Sequence, residues 1–327
     1  MRAFGYVLVF LISITFFSCS PDGNGGRTIV ISVASDYSDT HLASPLFNTS
    51  NDQAAFIQQV YAMDEKAEVH MFRIENMRYI KSDNPVFGNS MESVYVHYMK
   101  SENEIGRSMT MKIPLLSSEE SYWDMNDVLF LLGNIRTDDE DILIFHYSGH
   151  GDKDGTLYAG EDLMPIKRSE IEYLMSDEYR KGIKLMILDS CYSGTFIQDS
   201  SLSDGTLFSE DEPSELLLSS PFISLWNALP ESGRKSTSSY VLCSSHKAQV
   251  SYEGYSFGEE DQRYFCLFSY YLLKAMGYDF SSYRGKRRNT ITLYGLYNDI
   301  WKDMDEDIIA TETPRVTLSE FDAVIFR

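Results

Sequence analysis

The sequence predicts an α/β fold, a three-layer sandwich with a mainly parallel central sheet. Two observations predict it: short apolar, β-branched runs recur along the chain, and helical segments separate them. Short continuous apolar runs are typical of strands buried on both faces, as in parallel sheets. Strands that alternate with helices favour parallel pairing, with helices covering the sheet.

The elements can be placed in order along the chain. The predicted core strands are residues 28–33, 68–74, 141–145, 184–188 and 240–243, and a last strand covers 321–326. The predicted helices cover residues 51–63, 122–135, 168–180, 264–276 and 293–304. Alternating polar and apolar residues over 92–100 and 108–113 indicate a hairpin between the second strand and the second helix.

The composition is that of a globular protein. Of the 327 residues, 43% are hydrophobic and 24% are charged, which suits neither a disordered nor a membrane-embedded chain. The formal net charge of −21 repels phosphate backbones, so nucleic acid is not an expected partner. The same charge either attracts basic peptide segments or only keeps the protein soluble. We expect a monomer.

The N-terminus predicts export and lipidation. Residues 1–18 combine a positive start with an apolar run that is too short to span a membrane comfortably, as in a signal peptide. Ser18 followed by Cys19 resembles a bacterial lipoprotein box, so Cys19 is the expected lipid attachment site. Residues 19–27 read as a flexible tether. We therefore expect a lipoprotein of the bacterial outer membrane or cell surface, held to the membrane by this lipid only.

The four cysteines indicate neither a disulfide scaffold nor a zinc site of CxxC spacing. With Cys19 lipidated and Cys191 reactive, only Cys243 and Cys266 are left to form a bridge, and their spacing does not require one. No metal site is predicted.

Two glycine-bearing loops carry the candidate chemistry. His150 and Gly151 follow one predicted buried strand, and Cys191 follows another. Since the carboxyl ends of parallel strands share one edge of a sheet, we expect the thiol and the imidazole to meet there. A neighbouring histidine would lower the pKa of Cys191 and supply a base. The backbone N–H groups of Gly151 and Cys191 are candidate donors to the oxyanion.

Each residue alone has a plainer explanation. Cys191 would be a buried structural thiol and His150 a hydrogen-bonded loop residue. His146 lies four residues before His150, which suggests a metal pair, but the sequence has no HExxH motif. We expect His146 to pack or to form a hydrogen bond.

The segments 145–151 (FHYSGHG) and 188–194 (LDSCYSG) resemble the His and Cys motifs of metacaspases and of bacterial caspase-like peptidases of family C14 in clan CD. The resemblance runs from about Thr28 to the C-terminus. It implies a caspase-haemoglobinase fold and a Cys191–His150 dyad within one domain, residues 28–327. That domain would divide into a large portion (28–197), a joining loop (198–239) and a small portion (240–327).

The resemblance also implies a pocket for the side chain that precedes the scissile bond, P1. Its residues would be Asp189, Asp52 and Ser148, and paired carboxylates would hold a basic side chain. Cleavage after Arg or Lys of protein or peptide substrates is therefore expected. For Asp52, a role as a helix cap is an equal alternative, and for Asp189 the alternative is a solvated strand end.

In this family the joining loop is a site of activating cleavage, and Arg234 and Lys235 are the candidate positions here. No cofactor is required by the sequence. Calcium activation occurs in some metacaspases, and only the acidic run 259–261 offers oxygens for it.

Two other functions compete with this one. A clostripain- or gingipain-like peptidase would share the fold and the dyad. A surface lipoprotein whose caspase-like domain binds a partner without catalysis is the alternative from another class.

Overall fold

A computed structural model describes residues 26–38, 43–75, 78–82, 91–101, 104–114, 122–160, 163–197, 238–254, 262–317 and 322–326. Several sequence predictions lie outside these residues. They are the signal segment 1–18, the lipidation site Cys19, the cleavage candidates Arg234 and Lys235, and the acidic run 259–261, together with most of the joining loop.

The central sheet is mainly parallel, as predicted. Its strands, from edge to edge, are β13 (Arg315–Val316), β11 (Ser239–Cys243), β10 (Ile183–Asp189), β6 (Ile142–Ser148), β1 (Thr28–Ser35), β2 (Glu68–Glu75) and β3 (Arg78–Ser82). Strands β3 and β13 pair antiparallel with their neighbours, and the other pairs are parallel. Strand β1 is buried along its whole length, as its apolar sequence predicts.

Three smaller sheets complete the strands of the described residues. The predicted hairpin is confirmed as β4 (Met91–Ser101) and β5 (Glu104–Pro114). A short sheet of β7 (His150–Gly151), β8 (Leu157–Ala159) and β9 (Met164–Ile166) extends from the end of β6. The last sheet pairs β12 (Ile291–Thr292) with β14 (Val324–Phe326). None of β7, β8, β9 and β12 was predicted, because strands of two or three residues carry too few side chains to show a period.

Helices cover both faces of the central sheet, which confirms the three-layer sandwich. The helices are α1 (Thr49–Met63), α2 (Met125–Asn134), α3 (Arg168–Leu174), α4 (Leu267–Met276), α5 (Leu293–Asp303) and α6 (Glu306–Thr311). One hydrophobic core lies under α1, α4 and α5, and the other lies under α2 and α3. Val30 belongs to the first core, and Ile29 and Ile31 belong to the second, as alternation along a strand requires.

Helix α3 is shorter than predicted and ends at Leu174 instead of residue 180. The hydroxyl of Ser176 donates to the Tyr173 carbonyl, and the Arg180 side chain donates to the Leu174 carbonyl. These side chains donate to backbone carbonyls at the C-terminus of α3. The helix therefore ends there and the chain turns. Among the described helices, none combines the length and the apolarity that crossing a bilayer requires.

The register of β6 and β10 positions the two motif loops. Ser148 pairs with Asp189 at the ends of these parallel strands. His150 and Cys191 each lie two residues beyond that pair, so the two loops leave the sheet side by side.

Gly182 fixes the start of β10 and gives a test of this framework. Its φ is +73°, and a Cβ there would lie 2.3 Å from the Asp141 carbonyl oxygen. Gly182→Ala is expected to lower the free energy of unfolding by about 1–3 kcal/mol, since both strain and the clash oppose it. Gly133→Ala is the control, because a Cβ on Gly133 in α2 meets nothing within 4 Å. That change should stabilise by about 0.5–1 kcal/mol. Urea unfolding measures the free energy of unfolding of both variants. Equal changes in the two would contradict the requirement for glycine at position 182.

Candidate active site

The two motif loops touch directly. The N–H of Gly149 donates to the Asp189 carbonyl at 3.1 Å. A Cβ built on Gly151 would lie 2.6 Å from the Cys191 carbonyl oxygen, so only glycine permits this approach. The structure therefore brings His150, Gly151 and Cys191 to one edge of the sheet, as expected from their places after β6 and β10.

The loop that carries Cys191 is held by serines that follow β11. The hydroxyls of Ser244 and Ser245 donate to the Ser190 carbonyl at 3.2 and 3.1 Å. The Tyr192 N–H donates to the Gln249 carbonyl at 2.8 Å, and Tyr192 has a φ of 58°. A bulky residue in this left-handed conformation is strained and persists only where its surroundings fix it. The turn after β10 is thus rigidly placed.

Cys191 is partly buried and lies against Ser251. The Ser251 N–H points at the Cys191 Sγ at 3.4 Å, and the Cys191 thiol lies 3.9 Å from the Ser251 carbonyl oxygen. Burial raises the pKa of the Cys191 thiol, and the charges of Glu312 and Asp189 raise it further. The sequence-based expectation of a lowered pKa is therefore wrong for the resting protein, because desolvation and nearby carboxylates both disfavour a thiolate.

His150 is oriented by two contacts that the sequence did not indicate. Its Nε2 lies 2.7 Å from the Ser44 carbonyl oxygen, and its ring packs on Tyr37 with centroids 4.4 Å apart. A carbonyl oxygen only accepts, so in the neutral ring the proton is on Nε2. This leaves Nδ1 unprotonated, and Nδ1 is the nitrogen that can act as a base.

His146 has a structural role. It is buried, its Nδ1 lies 2.8 Å from the Ser32 hydroxyl, and its ring stacks on Phe56 with centroids 4.2 Å apart. Burial lowers its pKa to about 3, so this ring stays neutral. The expected packing and hydrogen-bonding role is confirmed.

Beside Cys191, the N-terminus of α4 gathers three buried carboxylates. The Cys266 N–H donates to Asp52 Oδ1 at 3.0 Å, and the Ser269 N–H donates to Asp189 Oδ2 at 3.1 Å. Glu312 is buried nearby, and the backbone of Phe268 in α4 lowers its pKa in part. We call Asp52, Asp189 and Glu312 the carboxylate cluster. Helix N-termini carry unsatisfied N–H groups and partial positive charge, so they stabilise carboxylates that come from distant parts of the chain.

Ser148 completes the environment of Asp52. Its hydroxyl donates to Asp52 Oδ2 at 2.8 Å. Asp52 lies inside α1, whose N-cap position is Asn48, so Asp52 does not cap its own helix. The structure thus brings together all three residues expected from the pocket motif: Asp52, Ser148 and Asp189. The helix-cap alternative for Asp52 is wrong for α1, because its carboxylate instead binds the N-terminus of α4.

Glu312 joins the same network. Its Oε2 accepts from the Tyr252 N–H at 2.7 Å, and its Oε1 lies 3.2 Å from the Ser251 hydroxyl. The same hydroxyl lies 2.7 Å from Asp189 Oδ1. Glu312 and Ser251 were missed in the sequence, because neither occurs in a motif with a spacing that relates it to Cys191. Only the fold places them together.

The cluster lacks a cationic partner among the described residues, where no Lys, Arg or His forms an ion pair with any of its three members. Burial raises the pKa of all three carboxyls, and their mutual repulsion adds to the effect on Asp52 and Glu312. Glu253 lies close by, and burial raises its pKa to about 7. A buried carboxyl cluster without a cationic partner among the described residues is a candidate binding site for a cation.

Asp52, Asp189 and Cys266 place one ligand atom each within 4.8 Å of one another. Carboxylates and a thiolate can bind zinc. Both oxygens of each Asp already accept hydrogen bonds from the protein, so we assign no metal to this set. Cys243 and Cys266 are free thiols, so they do not form the bridge that the sequence left open.

The chain is similar to known caspase-domain proteins. The family model for the caspase domain matches residues 124–291, just over half of the chain, and this span holds both motif loops. The solved structure of caspase-1 from Spodoptera frugiperda is similar, with 11% identity over 92% of each chain and a TM-score of 0.50. A Geobacter sulfurreducens protein of solved structure shows 13% identity over 90% of this chain and 93% of its own, with a TM-score of 0.45. A search of curated proteins found no match.

Proposed function

The chain belongs to the caspase-domain family, and from that premise we propose that it is a cysteine endopeptidase that cleaves proteins after Arg or Lys. Membership of this family supports a cysteine-peptidase function that acts on protein substrates. The preference for a basic residue is supported by one observation, the buried carboxylate cluster beside Cys191.

In the proposed reaction, His150 Nδ1 takes the proton from the Cys191 thiol, and the thiolate attacks the scissile carbonyl carbon. The N–H groups of Gly151 and Cys191 are the proposed donors to the oxyanion that forms. The C–N bond then breaks, and the imidazolium returns its proton to the leaving amine. Water, deprotonated by His150, hydrolyses the resulting thioester and regenerates the thiol. The Ser44 carbonyl keeps the imidazole oriented throughout.

The P1 side chain would enter beside Ser251 and reach Asp189 and Asp52. Arginine carries five N–H donors and lysine carries three, and carboxylates accept them in charge-assisted hydrogen bonds. A P1 aspartate would meet like charge in a buried site, where repulsion is strong. The geometry therefore favours basic over acidic substrates.

Paired fluorogenic peptides with Arg, Lys or Asp at P1 test this proposal. We expect hydrolysis after Arg and Lys only, no hydrolysis by Cys191→Ala, and a loss of about 10- to 100-fold in kcat/KM after Asp189→Asn. Glu178→Gln, an exposed carboxylate on the turn after α3, is the matched control and should hydrolyse like the wild type. Cleavage after Asp would overturn the pocket assignment. If no peptide is cleaved, even with calcium, the chain is instead a non-catalytic binding module.

We also propose that the enzyme cleaves itself in the 198–239 loop, at Arg234 or Lys235. The basic side chains suit the proposed pocket, and the chain that follows is firmly held. The Lys184 N–H donates to the Ser238 carbonyl at 2.7 Å, and the Ser238 N–H donates to Asp177. Cleavage before Ser238 would leave these hydrogen bonds intact, so β11 would stay in the sheet.

Gel electrophoresis of the incubated protein tests self-cleavage. The wild type is expected to give two fragments divided near residue 235, and both Cys191→Ala and the double variant Arg234→Gln, Lys235→Gln should stay intact. Lys181→Gln changes an exposed lysine outside the joining loop, so this control variant should be cut normally. Persistence of intact wild-type chain while peptides are hydrolysed would contradict this step.

Finally, we propose that Cys19 carries a lipid and that the enzyme is anchored at the bacterial envelope. Expression in a bacterial host with labelled palmitate should label the wild-type chain and the Ser20→Ala control. Cys19→Ala should remain unlabelled and leave the membrane fraction. Equal labelling of both variants would overturn the assignment.

A further inference from the structure

Ser251 connects the nucleophile to the carboxylate cluster. Its backbone N–H points at the Cys191 Sγ, and its hydroxyl lies within hydrogen-bond distance of both Asp189 and Glu312. The Cys191 thiol and the carboxylates of Asp189 and Glu312 therefore all contact Ser251. A change in the charge of these carboxylates affects the thiol, because the groups are close together and largely buried.

The Ser251 hydroxyl has one proton for two carboxylate oxygens. It can donate to Asp189 Oδ1 or to Glu312 Oε1 but not to both at once. The shorter distance, 2.7 Å, is to Asp189. When the Ser251 hydroxyl donates to Asp189, it has no second proton for Glu312. Glu312 Oε1 then receives no hydrogen bond from Ser251.

Glu312 also has the placement of a functional carboxylate. It is fully buried, and it lies just beyond α6, far along the chain from the motif loops. The groups that act on Cys191 from the surrounding elements are Tyr147 from β6, Asp189 from β10, Ser251 from the segment after β11, and Glu312. Among these charged and titratable neighbours, two are carboxylates and neither has a cation paired with it in the described chain.

We propose that Glu312 is a third carboxylate of the P1 pocket, and that the cluster keeps the Cys191 thiol protonated until a cationic P1 side chain binds. This inference rests on the proposed preference for Arg and Lys. A guanidinium or ammonium group within the cluster would offset its negative charge, and the thiol beside Ser251 would then ionise more readily. The enzyme would thus activate its nucleophile mainly with the correct substrate in place.

The direction of the electrostatic effect on the Cys191 thiol agrees with this proposal. After burial, the charge of Glu312 is the largest factor that raises the pKa of the Cys191 thiol, and Asp189 follows. A cation in the pocket acts in the opposite sense. Since thiolate formation precedes attack, the binding energy of the P1 cation would lower the barrier to reaction as well as the KM.

Alkylation of Cys191 in the full-length chain tests the proposal without any peptide hydrolysis. Iodoacetamide is the neutral electrophile, n-propylguanidinium is the P1 mimic, and n-propylurea is its neutral counterpart of similar shape. Mass spectrometry of the peptide that contains Cys191 separates its modification from that of Cys243 and Cys266. We expect n-propylguanidinium to accelerate alkylation of Cys191 by roughly 3- to 10-fold at neutral pH, the factor for a pKa change of half to one unit. We expect n-propylurea to have no accelerating effect.

Glu312→Gln removes the charge and keeps the shape. Its amide can donate to the Ser251 oxygen while its carbonyl accepts from the Tyr252 N–H, so the hydrogen bonds persist. We expect faster basal alkylation, by roughly 3-fold or more, and a smaller acceleration by n-propylguanidinium. Glu312→Asp keeps the charge and should retain most of the wild-type response, and Glu178→Gln should behave as the wild type.

The outcomes separate this inference from the proposed function. If the guanidinium and the urea have the same effect on the wild type, or if Glu312→Gln matches the wild type, the inference is overturned even where Arg peptides are hydrolysed. If Glu312→Gln slows alkylation under all conditions and lowers the Tm, Glu312 only supports the fold. Failure of the proposed function would appear separately, as absence of Arg and Lys peptide hydrolysis by the wild type.

Discussion

The capture of carboxylates by the N-terminus of α4 is the interaction on which the whole site depends. Asp52 comes from the first helix, Asp189 from the end of β10, and Glu312 from the segment before the last edge strand of the sheet. Asp52 and Asp189 accept from the Cys266 and Ser269 N–H groups at the start of α4, and Glu312 joins Asp189 through the Ser251 hydroxyl. Because α4 has no side-chain cap of its own at Cys266, its N–H groups are free to hold these distant carboxylates. The contact fixes α1, β10 and the C-terminal segment relative to one another, and it places negative charge beside the nucleophile.

Such an arrangement is unfavourable for stability alone. Burying a carboxylate without a cationic partner raises its free energy by several kcal/mol, and the hydrogen bonds of a helix terminus recover only part of this. Replacing the cluster by apolar side chains would be expected to stabilise the fold. Since the described residues place no cation beside these carboxyls, the cluster is best explained by the proposed binding of a substrate that brings one.

The sequence predicted the sheet and the two motif loops that leave it side by side, because these depend on local patterns. Apolar runs mark β6 and β10, and the glycine-bearing segments that follow show where each strand ends. The position of Glu312 could not be predicted, since its relation to Asp189 arises only when α6 and β13 close against the sheet. The raised pKa of Cys191 was missed for the same reason, because a linear sequence does not show how many charges surround a thiol.

The overall charge of −21 would not by itself account for the proposed selectivity for basic residues. Exposed charges are screened within about 8–10 Å at physiological salt, so the general field aids the approach of a basic segment but discriminates weakly between neighbouring side chains. Discrimination requires charges in a medium of low dielectric constant. There the interaction between two unit charges is several times stronger than at the surface. Asp52, Asp189 and Glu312 are buried to that degree, and Ser251 connects Asp189 and Glu312 to Cys191. In the proposed mechanism, recognition of the P1 charge and control of the thiol are two effects of the same carboxylates, so a change that weakens one should weaken the other.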